Sequence, residues 1–298
     1  TKTLYVRHSV TLNDGNKTID DFFERMVGFI DSNDVQQLIL DIRMNGGGNN
    51  NLNKSIIRAI IESRKINQKG KFFCVTGRRT FSAAQNLVNE LEKYTEVTFV
   101  GEPTSENVNF YGDVRAETLP ATGLQAALSW IWWQNMSATD NRKQTSPELA
   151  ADMSFSDYYN NEDPALKAIF KYENEKPFLP TLVYLISNNK NEEAYQYALN
   201  YANDPAHRYV ADKLEANINQ EGYNQMRTHI ETASALFEIN MKLFPESANA
   251  CDSYAESLMY LGKKEDAVKY YEMAIAKDKV GITAENSRKM IEKIKNGN

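Results

Sequence analysis

Two short segments of the chain combine residue types that chemistry can use. The first, Asp41-Ile42-Arg43-Met44-Asn45-Gly46-Gly47-Gly48, ends an apolar run in three glycines. Glycines after a strand leave backbone N–H groups unhindered, so Gly47 or Gly48 could meet a developing negative charge as half of an oxyanion hole. The second, Thr76-Gly77-Arg78-Arg79-Thr80-Phe81-Ser82-Ala83-Ala84, sets a serine at the start of a helical pattern with two alanines behind it. A helix start carries unpaired N–H groups and a dipole that favours an anion. Ser82 therefore reads as a nucleophile, with the Ala83 N–H as the second oxyanion donor. On spacing alone the commoner role of a serine there is a plain N-cap, because serine is among the preferred capping residues.

Other chemistries fit less well. Gly48 with Lys54 and Ser55 nearly satisfies the phosphate-loop pattern G-x-x-x-x-G-K-S, but Asn53 stands where the second glycine's backbone freedom is needed. The nucleophile elbow G-x-S-x-G of the α/β-hydrolases is absent. With the phosphate-loop pattern broken no nucleotide cofactor is expected, and His207 and His229 have no Cys or carboxylate companions at ligand spacing, so no metal is expected either. Asp41 and Arg43 alternate with apolar neighbours at a strand end, which suits them to holding the glycine loop by a charge-assisted contact.

The elements that must position these residues can be read from periodicity. Strands are predicted over residues 4–10, 37–42, 72–76, 97–100 and 125–133, and helices over 18–30, 52–64, 82–93 and 164–172. On the first helix Phe22, Phe23, Met26, Val27 and Ile30 are placed on one face, and packing of one face accounts for Trp130 and Trp132. Strand and helix alternate, which argues for an α/β layer with parallel neighbours. Beyond residue 176 the pattern is almost continuously helical, with only four of the 14 glycines. Lys176-Pro177-Phe178-Leu179-Pro180 marks the boundary, giving domains of residues 1–176 and 177–298. In the second, Ala255, Gly262, Ala267, Tyr271 and Ala274 keep the spacing of a tetratricopeptide repeat. Ala233, Phe237 and Pro245 repeat part of it 34 residues earlier. A further helical pair spans residues 182–201, with Tyr184, Tyr195, Tyr197 and Tyr201 assigned to its core.

Taken together, the two chemical segments resemble those of the carboxy-terminal processing, or tail-specific, serine proteases and their tricorn-like relatives. Asp41 to Gly48 matches the motif D-L-R-x-N-x-G-G, and Thr80 to Ala84 matches the T-x-S-A-A motif that holds the nucleophile. Gly101-Glu102-Pro103-Thr104 matches G-E-x-T, and Tyr111-Gly112-Asp113 extends the likeness to a subgroup with G-E-P-T. Pro147-Glu148 stands where the family has P-D, and Asp157-Tyr158 with Asp163-Pro164 matches that subgroup's closing helix. The resemblance covers residues 1–172 and implies a crotonase-like or ClpP-like α/β core, followed here by an all-α tetratricopeptide-like domain. It also implies an exported bacterial protein.

Departures from the pattern fall on the general base. Ser–Lys members carry a lysine on the G-E-x-T loop at a spacing that lands on Asn107, and no lysine occurs between Lys93 and Lys143. Tricorn-like members use a histidine from ahead of the core with an acidic residue before P-D. Asp140 lies near that acidic position, His8 is the core's one histidine, and a base upstream of Thr1 is the favoured alternative. The resemblance implies a serine endopeptidase that cuts peptides or unfolded protein tails through an acyl-enzyme on Ser82. The rival reading is a silent peptide-binding scaffold whose helical repeats recruit a protein partner.

Composition narrows the partners. A net charge of −6, divided evenly about residue 177, offers no basic stripe for DNA or RNA. No apolar stretch approaches a membrane-spanning length. Cys74 and Cys251, 177 positions apart, are expected to be buried free thiols.

Overall fold

The computed structural model describes residues 2–172 and 177–296, with Asp212 described by its backbone alone. The chain divides into two compact units, Thr1–Asn174 and Glu175–Asn298. Lys176, where the expected linker begins, lies outside the described residues.

The first unit runs β1 (Thr3–Arg7), α1 (Ile19–Ser32), β2 (Gln37–Asp41), α2 (Asn53–Glu62), β3 (Phe72–Thr76), α3 (Ala83–Tyr94) and β4 (Thr98–Gly101). Then come a hairpin of β5 (Asn109–Thr118) and β6 (Gln125–Gln134), strand β7 (Leu149–Ala150), and helices α4 (Phe155–Tyr159) and α5 (Pro164–Lys171). Five strands form one parallel sheet in the order β1-β2-β3-β4-β7. Alternate residues feed two cores, as a strand's two-residue period requires. Leu38, Leu40, Phe72 and Cys74 pack with α1, α2 and α3, while Ile39, Phe73 and Val75 pack with α5. This double burial explains why β2 and β3 read as continuous apolar runs.

Several expectations need correction. Strand β1 stops at Arg7 rather than Val10, because Thr11 leaves β2 and bonds the glycine loop through its N–H to the Gly47 carbonyl at 2.9 Å. On α1 the buried face is Phe23, Met26 and Ile30, and Phe22 is exposed. The hairpin was only half legible, since periodicity pointed to β6 alone. Packing does not account for its aromatic face either, for Trp130 is 66% and Trp132 48% exposed. Tyr111 lies across from Trp132, with ring centroids 4.7 Å apart.

In the second unit, Pro177 precedes α6 (Phe178–Ser187), and Pro180 falls in its first turn, where no intrahelical N–H bond is lost. Helices α7 (Asn191–Asn203), α8 (Ala211–Met226), α9 (Ile230–Leu243), α10 (Ala248–Tyr260), α11 (Lys264–Lys277) and α12 (Ile282–Lys295) follow. Ala233, Phe237, Ala255, Ala267, Tyr271 and Ala274 are fully buried. The Phe237 ring lies over Gly222 of α8 so closely that a Cβ there would collide with it. Tyr195, Tyr197 and Tyr201 pack against the α6–α7 core, whereas Tyr184 is exposed. Cys74 and Cys251 are buried free thiols. Among the described residues no helix is long and apolar enough to cross a membrane.

Candidate active site

Parallel pairing of β2 with β3, Asp41 opposite Val75, places the loops after these two strands side by side. The loop after β2 is built from its own polar side chains. Asp41 accepts from the Arg43 backbone N–H at 3.1 Å and from Arg43 Nε at 3.0 Å, and its other oxygen takes the Tyr5 hydroxyl at 2.6 Å. Burial and that carboxylate push the Tyr5 phenol up to about 12, so it stays a donor. Arg43 reaches on to Asp163, the N-cap of α5, at 2.9 Å. The expected charge-assisted clasp is therefore present, and it extends to the closing helix.

Asn45 is the hub of the glycine loop and is fully buried. Its Oδ1 accepts from the Gly47 N–H at 2.9 Å, its Nδ2 donates to the His8 carbonyl at 3.1 Å and to Thr11 Oγ1 at 3.3 Å, and its own carbonyl takes the Phe81 N–H at 3.1 Å. One buried amide thus ties together the segment after β1, the glycines and the turn that carries Ser82. Asparagine between a strand and a turn is a known local hydrogen-bonding device, but only the fold reveals the long-range half of its bonds.

On the other side, Thr80 is buried and anchors its turn by donating to the Ile42 carbonyl at 3.0 Å while accepting from the Gly77 N–H at 3.1 Å. The Ala84 N–H bonds the Phe81 carbonyl at 3.0 Å, and Ser82 between them has φ 53° and ψ −122°. Those angles are the first central position of a type II′ turn, which glycine ordinarily fills. A serine held there stores on the order of 1–3 kcal/mol of strain. The plain N-cap reading falls with this observation, because a capping serine is extended and bonds the helix with its oxygen. The Ser82 side chain makes no such bond.

Gly47 sits directly against this turn: a Cβ added to it would lie 2.8 Å from Ser82 Cβ and 3.0 Å from the Ala83 nitrogen. The Gly47 N–H is engaged by Asn45. The N–H groups of Gly46, Gly48, Ser82 and Ala83 have no hydrogen-bond partner among the described residues, and of the glycines Gly47 is the one packed on Ser82 while Gly48 lies against Thr11.

The expected bases are not on Ser82. His8 is buried and its Nε2 lies 3.3 Å from Thr11 Oγ1; burial lowers the ring to about 4, so it is neutral but poorly basic. Asp140 is clasped by Arg142, with Nη2 at 2.7 Å, and Arg142 continues to Glu92 at 2.9 Å. Glu92 is ten residues beyond Ser82 on α3, about 15 Å along the helix axis. The arrangement Asp140-Asn141-Arg142 repeats the backbone-and-guanidinium clasp of Asp41-Ile42-Arg43. Asn107 lies on the loop after β4, which is held to the serine turn through the Ser105 N–H to the Thr80 carbonyl at 3.1 Å, and to residue 145 through Thr104. Burial raises the carboxyl of neighbouring Glu106. Among the described residues no three His, Cys, Asp or Glu side chains gather as metal ligands would.

No protein-family model and no curated protein matches the chain. Among solved structures it is similar to a candidate peptidase from Parabacteroides merdae ATCC 43184, at 17% identity over 57% of this chain and 60% of that one, with a TM-score of 0.40. It is also similar to the photosystem II D1 C-terminal processing protease, at 18% identity over 50% and 42% and a TM-score of 0.36. A candidate S41 protease from Bacteroides fragilis NCTC 9343 is 12% identical over 63% and 54%, with a TM-score of 0.39. The chain spans 60% or less of the length of these three structures. Likenesses this distant leave the chemistry to be read from this chain's own residues.

Proposed function

We propose that the first unit is a serine-type peptidase core of the tail-specific kind, with Ser82 as nucleophile and the N–H groups of Gly48 and Ala83 as oxyanion donors. The observation that carries this reading is the strained turn at Ser82: a hydroxyl held out of the cap, at the start of a buried helix, against a glycine loop. The sequential parallel sheet supports a crotonase-like or ClpP-like architecture. In the acylation step, Ser82 Oγ would bond to the peptide carbonyl carbon as its proton passes to a base. Collapse of the tetrahedral oxyanion then expels the protonated amine and leaves the acyl-enzyme.

The second reading is a silent peptide-binding scaffold. It is favoured by the placement of His8, Asp140 and Asn107, none of which bonds Ser82. In either reading the helical unit is proposed as a tetratricopeptide-like surface for a protein partner.

The test is labelling of the full chain by a fluorophosphonate probe, with Ser82→Ala as control. A positioned base contributes about 100-fold to 10,000-fold, so labelling that depends on Ser82 but is slower than in a complete serine hydrolase by that order is expected. No Ser82-dependent labelling at high probe concentration would leave the scaffold reading standing.

A further inference from the structure

The carboxyl ends of β2, β3, β4 and β7, where loops diverge and ligands commonly bind in parallel sheets, enclose a cavity of about 230 Å³. Its walls come from the segments that lead into the two site loops: Arg43 and Met44 ahead of the glycines, and Gly77, Arg78 and Arg79 ahead of Ser82. Met44, Val75, Met153 and Ala165 give it an apolar lining. The volume is below the roughly 300–1,000 Å³ of pockets that enclose a drug-sized ligand, and it suits a single side chain.

Two of the three guanidinium groups on the wall are already matched. Arg43 lies 2.9 Å from carboxylate oxygens of both Asp41 and Asp163, and Arg78 Nε lies 3.0 Å from Glu102. Arg79 is exposed and has no hydrogen-bond or ion-pair partner among the described residues. An unmatched guanidinium at the mouth of an apolar cavity is a fork for a carboxylate carried next to an apolar group.

We infer that this cavity is a peptide subsite: it takes one apolar side chain, and Arg79 pairs with a carboxylate on the adjoining position. The carboxylate is supplied either by an Asp or Glu side chain or by the free C-terminus of the peptide. This deepens the peptidase reading and shares with it only the premise that peptides bind beside Ser82.

The test is fluorescence anisotropy with the full chain carrying Ser82→Ala and four labelled heptapeptides of one parent sequence. One ends Leu-Asp with an amidated terminus, one ends in Leu with a free carboxylate, one ends Leu-Asn-amide, and one ends Gly-Asp-amide. At least one leucine peptide bearing a carboxylate should bind about tenfold more tightly than Leu-Asn-amide, the size of a charge-assisted hydrogen-bond pair. Which of the two does so identifies the source of the carboxylate. Adding Arg79→Gln, a change at an exposed position, should abolish that preference, Arg79→Lys should keep part of it, and Gly-Asp-amide should bind more weakly than Leu-Asp-amide. Equal binding of charged and neutral peptides, a preference that survives Arg79→Gln, or no binding by any peptide overturns the subsite. Because no chemistry is involved, a preference that depends on Arg79 in a chain that fluorophosphonate does not label would retain the subsite and remove the peptidase. Labelling without the preference would do the reverse.

Discussion

Gly47 and Ser82 are packed so closely that the smallest side chain at residue 47 would come within 2.8 Å of the serine's Cβ. Gly47 also has φ +106°, a conformation L-residues rarely adopt. Gly47→Ala should therefore displace the Ser82 turn rather than simply fill space. Fluorophosphonate labelling, where Ser82 gives it, should fall about 100-fold, the scale of losing one oxyanion donor. Gly46→Ala, where a Cβ meets nothing within 4 Å, is the control and should label normally. Equal labelling of both variants would detach the glycine loop from the serine.

Strain at Ser82 can be measured without any substrate. At φ 53° a glycine relaxes what serine and alanine cannot. Ser82→Gly should therefore be more stable to urea than the unsubstituted chain by about 1 kcal/mol, despite glycine's greater unfolded-state entropy. The usual order at an N-cap, with serine more stable than glycine by a few tenths of a kcal/mol, would mean that the turn is not strained in solution.

Among the helices, Ala233 and Ala267 are fully buried, 34 residues apart, near the starts of α9 and α11. Ala233→Leu or Ala267→Leu should each destabilise the helical unit by about 1–3 kcal/mol through overpacking. Thermal unfolding followed at 222 nm would show this, while Ser82 labelling should be unaffected. An unchanged melting temperature in both variants would remove the close helix crossings that the spacing implies.

The adjacency of the glycine loop and Ser82 could be read from the chain because parallel strands that are neighbours in sequence deliver their following loops to one edge of the sheet. What could not be read were features set by contacts across many residues. Thr11 gives no local sign that it will bond Gly47, and Asn45 shows only that it can turn a chain, not that it will join three segments. At Ser82 the sequence offers no flanking glycine to announce a left-handed turn, so a cap was the simpler reading. For the hairpin, alternation divides Trp130 and Trp132 from Trp133 but carries no information on which face meets solvent. The surroundings of Asp140 are hidden for a related reason: a carboxylate's pairing depends on which arginine reaches it, and Arg142, two residues away, does.

His8 gives the chain a definite pH dependence. Asn45 Nδ2 donates to Thr11 Oγ1, and His8 Nε2 lies 3.3 Å from the same hydroxyl, both residues being buried in the segment that follows β1. Burial lowers the ring from 6.5 to about 4, and the side chain is edge-on to Phe23 with centroids 6.0 Å apart. The folded chain thus refuses a proton that the unfolded chain takes below its ordinary value. This contribution is fully present above pH 6.5 and is lost as the pH falls towards 4. Its size is about 2–3 kcal/mol between pH 7 and pH 4.5, by proton linkage. His8→Gln keeps a hydrogen-bonding side chain without the titration. Urea unfolding at the two pH values should show the unsubstituted chain losing about that much more stability than His8→Gln on acidification. Equal losses would show that the ring is solvated and free to charge.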